Sequence, residues 1–199
     1  MSQRLNEAIS FAAKAHLGQM RKMANTPYIL HPMEVCAIIG SITSDEDVMI
    51  AGLLHDTVED CDVDPKEIKA KFGARVSALV QSETEDKLSG RPASDTWIER
   101  KAESLLMLKH TKDRDVKILW LGDKLSNIRS FYREYLRCGN DLWKPLHQKD
   151  PRMQAWYYRT IADYLSDLSD TSAYNEYVHW VDTIFADFPK ESLPKPETE

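Results

Sequence analysis

AGLLHDTVED (residues 51–60) carries an apolar run straight into a cluster of charge, with His55 and Asp56 adjacent and Glu59 and Asp60 close behind. At about 3.6 residues per helical turn, Asp56, Glu59 and Asp60 fall on one side of a helix. Burying that much negative charge against a core is costly unless a cation compensates it. Imidazole nitrogen with carboxylate oxygen suits a borderline divalent ion such as manganese, iron or zinc. The alternative is a helix end with solvated acids and a satisfied core histidine. The dipeptide alone does not separate the two.

Working outward, the periodicity stays helical. Val48, Ala51 and Leu54 lie on one stripe upstream, with Ser44 and Asp45 placed to cap its start. Downstream, Asp64-Pro65 opens a helix that stops near Gly73. Leu5, Ala8, Ile9, Ala12 and Ala13 mark an amphipathic N-terminal helix, and a loop over 18–30 leads to a short helix opened by His31-Pro32. The stretch 82–95 reads as a polar loop, and Thr96 with Glu99 has capping-box spacing for a helix ending near His110. Helices are expected from Asp113 to Arg137, from Asp150-Pro151, and after a polar break at 170–172. No segment alternates apolar and polar residues long enough to make a strand series. The expectation is an all-α fold of roughly eight to ten helices over residues 1–188, followed by a disordered tail over 189–199 rich in proline and charge.

Two residues outside 51–60 strengthen the metal reading. In DVKILWLGDKLSNIR (115–129), Asp123 lies on the stripe of Val116, Leu119 and Trp120, where an acid needs a strong partner. In TPYILHP (26–32), His31 sits between an apolar run and a proline. Composition excludes other classes. The formal net charge of −6 gives no support to nucleic-acid binding through an overall basic surface. No run reaches the ~20 apolar residues of a membrane span, and the N-terminus does not resemble a signal peptide. The three cysteines lack CxxC spacing and are expected to be reduced thiols, in a cytoplasmic protein.

The order of one histidine, a His-Asp pair and a distant aspartate resembles the HD superfamily, and the flanking segments are similar to the hydrolase domain of the Rel/SpoT family. The matching segments are AAKAHLGQMRK (12–22), TPYILHPMEV (26–35), DVMIAGLLHDTVED (47–60), IKAKFGARVSALV (68–80), ERKAES (99–104) and VKILWLGDKLSNIRS (116–130). The likeness fades after about residue 131 and points to the small, stand-alone alarmone hydrolases. It implies an HD-type helical domain that removes the 3′-pyrophosphate of guanosine tetra- or pentaphosphate, leaving GDP or GTP and pyrophosphate. It also implies one manganese ion per chain on His31, His55, Asp56 and Asp123, with Glu59 and Asp60 positioning and activating water. By the same resemblance Arg21 and Lys22 lie beside the nucleotide, and Asn127, Arg129 and Ser130 line the nucleoside pocket.

Met23 and Gly122 depart from the family's usual residues, as does Ser126, where histidine or tyrosine is common. From the residues alone, Lys101 and Arg152 are weaker candidates for phosphate contacts, with Trp156 and Tyr157 beside Arg152. The expected partner is a small nucleotide rather than a nucleic acid or a membrane. The same metal site would also suit another phosphorylated nucleotide, an adenosine alarmone or NADPH, or a catalytically silent nucleotide sensor. Neither the oligomeric state nor the preferred purine is legible.

Overall fold

The computed structural model describes residues 2–22, 24–85 and 90–190. Met23 and the tail over 191–199 lie outside the described residues. Among those described, the chain has ten α-helices and two 3-10 turns, with no strand beyond one isolated bridge between Met20 and Pro27. The all-α expectation holds. None of these helices is long and apolar enough to cross a membrane.

The chain gathers into two compact units, Met1–Thr84 with Asp113–Ser126, and Glu85–Lys112 with Asn127–Glu199. The first holds α1 (Gln3–Ala15), α2 (Leu30–Ile42), α3 (Glu46–Leu54), α4 (Thr57–Asp60), α5 (Pro65–Phe72), α6 (Ala74–Gln81) and the start of α8 (Arg114–Cys138). Local chemistry sets several boundaries. Asp45 accepts from the Asp47 N–H at the start of α3, and Asp64 does the same for Lys66 beside Pro65 at the start of α5. Gly73, with φ at 99°, separates α5 from α6 in a conformation that a side chain would strain.

Helix α2 is longer than the short helix expected after His31-Pro32, and it begins at Leu30. The reason is packing. Its Val35 and Ile39 touch both α3 and α8, so apolar residues do not collect into one readable stripe. The contacts pass through two glycines. A Cβ added to Gly52 would lie 2.4 Å from Ile39 Cδ1, and one added to Gly122 would lie 3.0 Å from Ile39 Cγ1. These two hydrogens let α2, which carries His31, approach both α3 and α8. Gly52→Val is therefore expected to destabilise the fold by about 1–3 kcal/mol through overpacking, read as a lowered denaturation midpoint. An unchanged midpoint would mean that Ile39 has room to move.

The second unit holds α7 (Trp97–His110), the remainder of α8, the turn Gly139–Trp143, α9 (Pro151–Tyr164), the turn Ser166–Leu168 and α10 (Ser172–Ile184). Its core is aromatic. Trp97 meets Tyr157 edge-on at 5.9 Å, Phe131 meets Trp143 at 5.6 Å, and Tyr177 donates to the Tyr158 carbonyl. Asp150 and Thr171 cap α9 and α10. The capping box expected at Thr96 does not form. Thr96 has helical backbone angles and is fully buried, so its hydroxyl makes no cap, and Glu99 pairs with Arg91 instead.

Candidate functional site

His31, His55, Asp56 and Asp123 come together within the first unit. His55 ends α3, where the helix breaks before the short α4, so 51–60 is not one continuous helix. His31 lies in the first turn of α2, and Asp123 in the first half of α8. One ligand atom from each of His31, His55 and Asp123 lies within 4.8 Å of the other two. Asp123 Oδ1 is 3.0 Å from His31 Nε2 and 3.6 Å from His55 Nε2. Asp56 Oδ2 is 3.0 Å from His55 Nε2 and 3.5 Å from His31 Nε2. Both rings are buried, and Asp123 is only 4% exposed.

The hydrogen bonds behind the rings say which nitrogen faces the cluster. His55 Nδ1 lies 2.9 Å from the Gly52 carbonyl oxygen, which only accepts, so Nδ1 carries the proton and donates. His55 Nε2 is then left buried with no hydrogen-bond partner. In the neutral ring it is a lone pair aimed at two carboxylates, and without another cation there a proton takes that place. Such an atom is costly to bury unless a cation stands before it. The donor set of two imidazoles and two carboxylates therefore fits a divalent ion.

Electrostatics run the same way. Burial lowers the His31 imidazole below its ordinary value and outweighs the pull of Asp123. At His55 burial also opposes the charged ring, yet Asp56 and Asp123 together hold it well above the ordinary value. Asp56 and Asp123 lie below the usual carboxylate range against the cost of burial, Asp56 through His55 and Asp123 chiefly through Lys124. The cluster attracts positive charge.

Several partners were not evident from the sequence. Lys124 pairs with Asp123 through Oδ2, lies 3.4 Å from Glu83 and sits 4.7 Å from the Trp120 ring centre. Burial pushes the Glu83 carboxyl up to about 7. The Tyr28 hydroxyl donates to Asp56 Oδ2 at 2.7 Å and lies 3.5 Å from Asp60 Oδ2. It is held there by a tight turn in which Arg21 N–H donates to the Thr26 carbonyl and Tyr28 N–H to that of Gln19. Arg21 lies over the Tyr28 ring at 5.6 Å, and Lys22 is exposed in the same turn. Glu59 is half-buried and Asp60 exposed on α4, whose end is tied down by Gln19 Nε2 donating to the Asp60 carbonyl.

The remaining candidates belong to the second unit. Arg129 forms a two-pronged pair with Glu176, both contacts at 2.7 Å. Asn127 is half-buried and Ser130 buried on α8. Lys101 pairs with Glu85 at 2.6 Å and lies 5.1 Å from the Tyr157 ring centre. Arg152 clasps Asp150 at the exposed start of α9, where Trp156 is half-buried and Tyr157 belongs to the aromatic core.

Residues 8–151 match the family described as HD domain, a span that contains all four cluster residues. The chain belongs to the HD-domain family. An HD-domain hydrolase implies a divalent metal, and the cluster has the donors for one. Among relatives, the guanosine-3′,5′-bis(diphosphate) 3′-pyrophosphohydrolase MESH1 of Mus musculus is 39% identical over 132 residues, 65% of this chain and 70% of that protein. A GTP pyrophosphokinase of Myxococcus xanthus is 34% identical over 128 residues, 63% of this chain. This HD-domain chain spans only 17% of that larger protein's length. A solved metazoan orthologue of SpoT, described as hydrolysing ppGpp, superposes with a TM-score of 0.67 at 27% identity, covering 94% of this chain and 96% of that one. The resemblance to Rel/SpoT-type hydrolases is thus borne out by sequence and by fold.

Proposed function

We propose that this HD-domain chain is a manganese-dependent phosphohydrolase that removes the 3′-pyrophosphate of guanosine tetra- and pentaphosphate. The observation that carries the substrate is the match to MESH1, which extends over about two thirds of both chains. The observation that carries the metal is the meeting of two buried imidazole Nε2 atoms with the Asp56 and Asp123 carboxylates. His31, His55, Asp56 and Asp123 would hold the ion. When bound, the ion supplies positive charge that acidifies water and offsets charge developing at phosphorus.

The chain's own residues do the rest. The Tyr28 hydroxyl orients Asp56 by donating to Oδ2, which leaves Oδ1 unconstrained by that bond. Glu59 and Asp60, on the short helix after Asp56, would take a proton from attacking water. Arg21 offers a planar guanidinium for the base and phosphates. By the resemblance Asn127, Arg129 and Ser130 would contact the nucleotide, with Lys101 and Arg152 as weaker candidates, and Arg129 would have to share its guanidinium with Glu176.

The test is product analysis. Purified protein with manganese is given guanosine tetraphosphate, its adenosine counterpart, GTP and NADPH. GDP and pyrophosphate are expected from the first, with detectable turnover of the adenosine compound, since stacking does not distinguish purines. Arg21→Ala is expected to raise KM more than it lowers kcat, because stacking helps ground and transition states alike. Efficient turnover of NADPH with both alarmones left intact would overturn the substrate and leave the metal site standing.

A further inference from the structure

His31 is held from behind by two side chains outside the metal cluster. Its Nδ1 lies 2.8 Å from Ser126 Oγ, and Ser126 Oγ donates to Glu34 Oε2 at 2.8 Å. A serine hydroxyl has one proton and a carboxylate only accepts. The Ser126 proton therefore goes to Glu34, and the oxygen that faces His31 can only accept. That forces the His31 proton onto Nδ1 and leaves Nε2 as a lone pair, 3.0 Å from Asp123 Oδ1. The arrangement reads carboxylate, hydroxyl, imidazole, metal position.

The placement follows from helical spacing. Glu34 is one turn beyond His31 on α2, and Ser126 is one turn beyond Asp123 on α8. The close α2–α8 approach through Gly122 brings the hydroxyl between the imidazole and the carboxylate. Ser126 is 1% exposed, so water does not compete for these bonds.

We propose that Ser126 and Glu34 are positioning residues that fix the His31 tautomer and ring orientation for metal binding. This rests on the reading of His31 as a ligand. Outer partners of this kind hold a metal-binding histidine in register, and their loss commonly weakens metal affinity 10–100-fold. Serine does here, with a borrowed carboxylate, what a directly bonded carboxylate does in a simpler pair.

The test uses the full chain stripped of metal and titrated with manganese alone, in the wild type and in Ser126→Ala, Glu34→Ala and His31→Ala. Nitrogen-15 spectra of the histidine rings are recorded in the metal-free state. The wild type is expected to show His31 protonated at Nδ1. Ser126→Ala is expected to bind manganese about 10–100-fold more weakly. Glu34→Ala, which removes none of the four candidate ligands, is expected to bind it more weakly as well. It also frees the Ser126 proton to face His31 and shifts its tautomer toward Nε2–H. A purely structural role would leave that tautomer unchanged. Should Ser126→Ala not fold, Glu34→Ala decides, because Glu34 is only half-buried. Wild-type affinity and tautomer in Glu34→Ala would overturn the inference. Unchanged manganese binding in His31→Ala would overturn the ligand reading beneath it.

Discussion

Asp123→Ala is expected to strip the protein of bound divalent metal and to lower turnover by on the order of 10³-fold or more. Asp123 contributes the oxygen nearest His31, at 3.0 Å, and the same oxygen reaches toward His55. Removing it leaves a divalent ion with a single carboxylate to offset its charge. A bound ion would supply several kcal/mol of transition-state stabilisation, and each 1.36 kcal/mol is a factor of ten. The variant also takes Asp123 away from buried Lys124, which still faces Glu83 at 3.4 Å, so a lowered melting temperature is expected too. Asp123→Asn separates the effects, since it keeps the shape of the side chain while weakening the ligand. Metal analysis and product analysis are made on the same purified samples. A fully loaded Asp123→Ala protein with undiminished turnover would remove Asp123 from the ligand set.

Glu59→Gln is expected to behave differently, keeping the metal and losing turnover by on the order of 10²-fold or more. Glu59 stands on α4, beyond the break at His55-Asp56, and the resemblance gives it a role on water rather than on the metal. The amide fills the same space and cannot take a proton from water. Metal content equal to wild type, with kcat reduced, is the expected pair of results. Equal loss of metal and turnover would instead move Glu59 among the ligands.

The candidate cluster was legible because its signals are local. His55 and Asp56 are adjacent, and Asp123 breaks an apolar stripe that its own helix defines. The helix caps at Asp45, Asp64 and Asp150 were legible for the same reason, since a cap is made by residues two or three apart. Thr96 shows the limit of such signals. Its spacing to Glu99 is right, but burial set its backbone and hydroxyl to other uses. The length of α2 was missed because a helix covered on two sides carries no stripe to read.

By itself, then, the sequence determined an all-helical chain, the family, and which four side chains were candidates to meet. Helical periodicity and chemical anomaly are written residue by residue. Only the tertiary structure decided how those side chains are aimed. Ser126 reaches His31 across 95 positions, and Tyr28 reaches Asp56 across 28. Glu83 lies beside Lys124, and Arg129 is tied to Glu176 rather than being an uncommitted surface charge. Each of these depends on how closely two helices or a turn and a helix approach. For Ser126 and His31 that approach passes through Gly122 and Ile39, a property of paired surfaces that no single stretch of sequence contains.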